Sequence, residues 1–342
     1  MNSSLVDDDL DLNVFDPYTQ AALIKGGFLL STNILKYTEE EFRKKVNLTV
    51  EATRRVYIAA ANISASNVKC HQELNNKVLT TGCIQIDKLL GGGLFKCGIT
   101  EISGESGCGK TQFCLQIALT VQLPLPLKGA KSGAAYICTE DRFPSSRIQQ
   151  MISNIRFKYK CDNKIDMNEL CQIDYGDNIL ISHVATVVND CIFIKRFFSN
   201  CSYEFQEDLK KCIHEMLPKA LLHRPIKLII IDSITAVFRG EYTLSELPRR
   251  SRDLRDIAFF LHKLSVEHGL WIICVNQVTS SMSDNSGKKL VPSLGLSWAN
   301  LVTTRLMMSR TQSSRYIEVM FSPHTASTSI PFRITEQGIE SN

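Results

Sequence analysis

The chain has 342 residues, 44% of them hydrophobic and 22% charged, which is enough for one large core and a small satellite domain. Its formal net charge of +4 argues neither for nor against a nucleic-acid partner, so that question falls to local clusters of Lys and Arg. No apolar run reaches the roughly 20 residues needed to span a bilayer, and the acidic start MNSSLVDDDLDL lacks the basic-then-apolar pattern of a leader, so neither a membrane partner nor secretion is expected.

In chain order, the first stretch reads as short helices. Tyr18 to Lys25 is helical and stops at Gly26-Gly27. Thr38 followed by Glu41 is a capping box that opens a second helix, and a third runs from Val50 to Ala61. We place a small helical domain at 1–63, a polar linker at 64–79 and the main core at 80–342. In that core, apolar strand-like runs alternate with helical stretches, which predicts an α/β fold with a mainly parallel twisted sheet. The candidate strands are 98–103, 134–138, 178–182, 227–231, 270–275 and 315–320. Twelve cysteines are scattered without a C-x-x-C pair, several inside apolar runs such as AAYICTE and WIICVNQ. Buried free thiols in a reducing compartment are expected, not bridges or zinc.

Four motifs carry chemistry. Gly104-Glu105-Ser106-Gly107-Cys108-Gly109-Lys110-Thr111-Gln112 follows a strand and opens a helix, matching G-x-x-x-x-G-K-[ST] throughout. Such a loop turns its backbone N–H groups onto phosphates, and the helix N-terminus adds partial positive charge. Lys110 is expected to reach the β- and γ-phosphates of ATP, and the Thr111 hydroxyl to ligate Mg2+. Leu228-Ile-Ile-Ile-Asp232 is a buried strand ending in a carboxylate, placed to orient the same metal. An apolar strand ending in Asp is common by itself; with the glycine loop upstream it becomes specific. Glu140 ends the strand expected next to the phosphate-loop strand, where it could position or deprotonate the water that attacks the γ-phosphate. Gln277 ends a further strand and could sense that phosphate, passing its presence to a long polar loop over 280–292.

Taken in order, these motifs resemble the RecA-like recombinase family; Leu79 to Leu94 looks like its eukaryotic branch, and Tyr136 to Met151, Leu294 to Met307 and Phe321 to Thr335 look like a recombinase paralogue. The resemblance covers residues 79–340 well and the N-terminal helices loosely. It implies a RecA-like P-loop ATPase core, with the small all-α N-terminal domain as a degenerate helix-hairpin-helix. It also implies Arg147 over the adenine, and Pro323 with His324 in a segment that reaches a neighbour's nucleotide. DNA would be met by Arg239, Arg249, Arg250 and Arg252 in a first loop, near Tyr242 and Arg255, and by Lys288 and Lys289 in a second.

Three departures from the family pattern matter. Asn300 stands where the strand-exchange recombinase has a phosphate-sensing His. The hairpin Lys45-Val-Asn-Leu-Thr-Val50 has no Gly, so its backbone is not expected to offer N–H groups to DNA. The family's Phe-x-x-Ala polymerisation segment is reduced to Asn62-Ile63-Ser64-Ala65, leaving Ile63 and Ala65 as a weak partner contact and a long filament unlooked-for. What the resemblance implies instead is a heterodimer with the C-type recombinase paralogue. That pair would assist the main eukaryotic recombinase on single-stranded or branched DNA, in homologous-recombination repair of double-strand breaks. Weak DNA-stimulated ATPase activity and a nuclear location, with a cytoplasmic fraction left open, complete the expectation. The alternatives are ATP held between subunits without hydrolysis, and a small-molecule kinase, whose Arg-rich lid and acceptor pocket the sequence lacks.

Overall fold

The computed structural model describes residues 10–66, 78–96, 98–159, 170–184, 201–238, 245–283 and 287–342. They belong to two compact units, 1–77 and 78–342.

The first unit is helical: Pro17–Gly26, Ser31–Ile34, Glu39–Val46 and Val50–Ser66. Asp16 caps the first helix by accepting from the Tyr18 and Thr19 N–H groups, and Gly27 ends it in the left-handed region at φ 71°. The Thr38–Glu41 capping box forms in both directions. Leu23, Ile34, Phe42, Val56 and Ala60 are fully buried, and Phe42 meets Phe28 and Tyr57 edge-on. Two details differ from or add to the sequence reading. The last helix continues past Ala61 to Ser66, because Asn62 to Ser66 contains neither Gly nor Pro to stop it. The start of the presumed linker is thus helical, its middle (67–77) lies outside the described residues, and its end (Val78–Leu79) is a strand of the second unit. The second detail concerns the hairpin at 45–50, on whose turn the sequence reading was silent. The hairpin without Gly still makes its tight turn, with Asn47 in the left-handed region at φ 53° and ψ 48°. Asn tolerates that region better than most side chains, and the Asn47 carbonyl accepts from the Tyr18 hydroxyl at 3.3 Å.

The second unit is built on strands β1 (Val78–Leu79), β2 (Leu94–Phe95), β3 (Ile99–Gly104), β4 (Gly133–Cys138), β5 (Ile179–His183), β6 (Ile226–Asp232), β7 (Trp271–Asn276), β8 (Val278–Ser283), β9 (Gly287–Pro292), β10 (Thr304–Arg310), β11 (Arg315–Phe321), β12 (Ser329–Thr335) and β13 (Gly338–Ser341). Nine of them form one sheet in the order β13-β12-β11-β10-β3-β7-β6-β4-β5. From β10 to β5 every neighbouring pair is parallel, and β11 to β13 extend the other side antiparallel. Every residue of β3, β4 and β7 is buried, as central strands covered on both faces require. Phe113 and Ile117 of the Lys110–Thr120 helix pack on one face; Leu254, Ile257 and Leu261 of the Leu247–His268 helix pack on the other. The α/β class, the mainly parallel sheet and the helical N-terminal unit are as expected, but β4, which leads to Glu140, is not next to β3: β7 and β6 stand between them. The 280–292 stretch is not a plain loop. It is most of the β8–β9 hairpin, registered from Val278↔Pro292 to Ser283↔Gly287. The described cysteines are all free and, apart from Cys171, buried.

Register decides where the chemistry lies. Ser103 of β3 stands beside Asn276 of β7, Ile231 of β6 beside Cys274, and Cys138 of β4 beside Asp232. Four parallel strands therefore end level, and the residues just past their C-terminal ends share one rim of the sheet.

Candidate functional site

The glycine loop joins β3 to the Lys110–Thr120 helix, and its glycines are sterically required. A Cβ on Gly104 would fall 2.2 Å from the Met308 carbonyl oxygen of β10. Gly109 precedes the helix at φ 116°, a conformation that L side chains rarely adopt. The Lys110 ammonium donates to the Gly104 and Glu105 carbonyls, both at 2.7 Å. Cys108 lies buried under the loop, and burial pushes its thiol pKa up, keeping it protonated.

At the end of β6, Asp232 Oδ2 accepts from Thr111 Oγ1 at 2.9 Å and from the Tyr136 hydroxyl at 2.7 Å. Burial raises the Asp232 pKa, while the Tyr136 and Thr111 hydroxyls and the Lys110 charge pull it back down. A hydroxyl and a carboxylate held together at a helix start are the hard-oxygen donors that suit Mg2+. Glu140 lies across from them. Its Oε1 accepts from the Gln277 amide and its Oε2 from Ser233 Oγ at 3.2 Å.

Behind Gln277 runs a buried polar chain that the sequence reading missed. The Gln277 N–H donates to Thr235 Oγ1 at 2.9 Å, and the Thr235 hydroxyl donates to Asn276 Oδ1. Asn276 Nδ2 and, at 3.1 Å, Trp298 Nε1 both donate to Glu101 Oε1. Arg305 of β10 pairs with Glu101 Oε2, with the two side chains 11% and 0% exposed.

A cavity of about 790 Å³ brings the expected residues together: Ser106, Gly107, Gly109, Lys110, Thr111, Gln112, Glu140, Arg147, Asp232 and Gln277 line it. Gly104, Glu105 and Cys108 shape the loop behind that lining. Arg147 is braced flat, with Nε donating to Gln112 Oε1 and a terminal nitrogen to the Thr335 carbonyl, both at 2.6 Å. Asp141, Arg315 and the Ile334–Glu336 turn also line the cavity and were not foreseen as part of it. A cradle that only glycine permits, a hard-oxygen pair for a cation, and a buried Arg315 Nε without a partner together fit a magnesium–nucleotide phosphate group.

The family model described as Rad51 matches residues 73–193 and 188–342. The chain belongs to the Rad51 family. Over 97% of its length and 96% of the relative's, it is 30% identical to the DNA repair protein XRCC3 of Bos taurus. It is 31% identical to the Mus musculus protein of the same name, with 97% of each chain covered. The DNA repair and recombination protein RadA of Aeropyrum pernix is 26% identical over 98% of this chain and 97% of its own.

Among the described residues, Arg249, Arg250, Arg252, Pro323 and His324 do not line the cavity. Pro323 and His324 sit in the exposed β11–β12 connection, and the His324 ring stacks on Phe95 at 3.8 Å between centroids. The basic cluster is less uniform than its sequence suggests. Arg249 approaches Glu207 and Asp253 at 3.9 Å each, and Arg250 Nε donates to the Phe238 carbonyl at 3.3 Å. Arg252 and Arg255 are exposed on the same helix. Arg239 and Tyr242 lie outside the described residues. Lys288 and Lys289 belong to β9, and their side chains also lie outside the described residues. Ile63 packs against the core of its own helical unit, and the Ala65 side chain lies outside the described residues. Asn300 follows the Gly295–Ala299 helix that carries Trp298. Among the described residues, no helix is long and apolar enough to cross a membrane.

Proposed function

We propose that this chain is a recombinase paralogue that binds Mg-ATP and DNA, hydrolyses ATP slowly, and works in homologous-recombination repair in the nucleus. Its partner in this reading is the C-type recombinase paralogue, and the pair assists the main recombinase on single-stranded or branched DNA. The observation that carries the proposal is the convergence of three features on one rim: the glycine loop, the Thr111–Asp232 pair and the Glu140–Gln277 pair. The names printed for the relatives, DNA repair proteins in animals and a DNA repair and recombination protein in an archaeon, supply the biological setting.

Each residue has a distinct task. The loop N–H groups and Lys110 neutralise phosphate charge, and Thr111 with Asp232 would hold Mg2+, which when bound offsets charge on the phosphate oxygens. Glu140 is fixed by two donors, so its carboxylate is aimed and can orient a water for in-line attack. Gln277 bonds Glu140 through its side chain and precedes β8 directly, so whatever moves that amide also moves the hairpin. Asn300 favours a second reading, in which ATP chiefly secures the subunit interface by mass action and turnover is incidental.

The test is equilibrium nucleotide binding and ATP turnover by the full chain, alone and with the paralogue. Lys110→Ala is expected to abolish binding. Glu140→Gln is expected to keep binding and lower turnover roughly 100-fold, within the usual range for a positioned acid–base group. Normal binding by Lys110→Ala removes the phosphate-loop assignment. Equal turnover with and without the Glu140 carboxylate leaves the interface reading.

A further inference from the structure

We infer that Arg315 binds a phosphate oxygen of the nucleotide held in this chain's own cavity, as a second cation beside Lys110. The inference rests on the nucleotide reading above and adds a residue that none of the motifs contains.

Arg315 opens β11 and is paired on both sides, with Arg310 on β10 and with Phe332 on β12. Its backbone is thus fixed by the sheet and does not belong to a mobile connection. The side chain lines the cavity together with Gly107, Gly109 and Ile334, next to the phosphate loop. Its Nε is buried and has no hydrogen-bond partner. A guanidinium keeps its charge at any pH a protein survives, so it cannot escape desolvation by losing a proton. A buried charged donor without an acceptor is costly, and an anionic oxygen in the cavity removes that cost.

The other two cations of the cavity are differently engaged. Lys110 donates to two loop carbonyls, and Arg147 is spread between Gln112, Gln150 and the Thr335 carbonyl. That bracing leaves Arg147 a flat face suited to stacking on a base, with its donor edge already used. Against these stand four carboxylates on the same lining: Glu140, Asp141, Asp232 and Glu336. An anionic ligand entering among them needs more than Lys110 to offset their field, and Arg315 supplies that charge. DNA is a poorer fit, because Arg315 lines the cavity beside the phosphate loop and its Nε is buried.

The inference is tested by titrating the full chain with a fluorescent ATP analogue and Mg2+, then displacing it with pyrophosphate or adenosine. Arg315→Gln is expected to weaken ATP binding about 10- to 100-fold, the usual effect of losing one charged hydrogen bond. Competition by pyrophosphate should weaken in parallel, while competition by adenosine stays as it was. Arg315→Lys, which keeps the charge without the fork, should recover part of the loss, and thermal melts confirm that both variants are folded. ATP affinity unchanged in Arg315→Gln, while Lys110→Ala no longer binds, would overturn the role of Arg315 alone. Failure of the unaltered chain to bind the analogue would overturn the nucleotide reading and this inference together. A loss confined to DNA binding would assign Arg315 to DNA and also overturn it.

Discussion

Glu101 offers the sharpest test of what holds the site's far wall. It is fully buried in β3, yet its carboxylate accepts from Asn276, Trp298 and Arg305. Replacing it with Ala leaves the Arg305 guanidinium charged and nearly enclosed, with one terminal nitrogen already lacking a partner. Removing one member of a buried pair typically costs about 3–5 kcal/mol. The N–H groups of Asn276 and Trp298 lose their acceptor too, at roughly 1 kcal/mol each where they cannot pair again. We therefore predict that Glu101→Ala destabilises the core by about 3–7 kcal/mol, a large share of the ~5–15 kcal/mol that a domain commands. Glu101→Gln should cost about 3 kcal/mol, because its amide N–H would face the Arg305 donors. The double change Glu101→Met with Arg305→Met removes charge and counter-charge together, and should be more stable than Glu101→Ala. Urea unfolding read by tryptophan fluorescence suits the purpose, since Trp298 belongs to the network and Trp271 to β7. A loss below about 1 kcal/mol in Glu101→Ala, or a double variant less stable than that single one, would refute the reasoning.

Other consequences are as open to measurement. The Asp232 pKa is raised above its ordinary 3.8, chiefly by burial, so its protonated form is favoured in the fold. That contribution to stability is fully present below pH 3.8 and is lost as pH rises through the raised value, so at neutral pH the ionised carboxylate is a burden. Asp232→Asn should therefore melt higher than the native chain at pH 7, the gap should narrow toward pH 4, and stabilisation by Mg-ATP should disappear; a lower melting point at pH 7 would contradict this. On the basic helix, Arg252→Glu with Arg255→Glu should weaken single-strand binding and lower the salt slope by about 1.4, as expected for two lost phosphate contacts. Arg249→Glu should matter less, since Arg249 already approaches Glu207 and Asp253. If Arg249→Glu has the largest effect in a salt-series titration, the exposed pair is not the DNA contact.

The rim was legible in the sequence because each of its residues follows an apolar run. Glu140 follows Ala-Ala-Tyr-Ile-Cys-Thr, Asp232 follows Leu-Ile-Ile-Ile, and Gln277 follows Ile-Ile-Cys-Val-Asn. Burial of those strands on both faces leaves only their ends to meet solvent or a ligand. Glu101 was not legible, since a Glu between Thr100 and Ile102 reads as the polar position of an alternating strand. Only the pairing of β3 with β7 and β10 reveals that it faces Asn276 and Arg305. Arg315 was hidden for a related reason: its place in the cavity depends on the antiparallel β10–β11–β12 arrangement, which local periodicity does not announce. The turn at Asn47 was not announced by a Gly, because glycine is the usual left-handed residue there but not the only one. The β8–β9 hairpin was obscured by runs of Ser and Lys, which carry little strand propensity.

The level ends of β3, β4, β6 and β7 also bear on how the chain can change in length. Because the groups of the rim stand at the ends of buried strands or within two residues of them, a residue gained or lost inside any of these strands turns the following side chain to the opposite face. Asp232 would then leave Thr111 even if every residue type were preserved. Substitutions within the four strands are graded in effect, whereas insertions and deletions there are all-or-none. Changes of length can be absorbed only in the connections away from that rim, such as the turn around Leu125–Leu127. The site is written as much in the count of residues as in their kind.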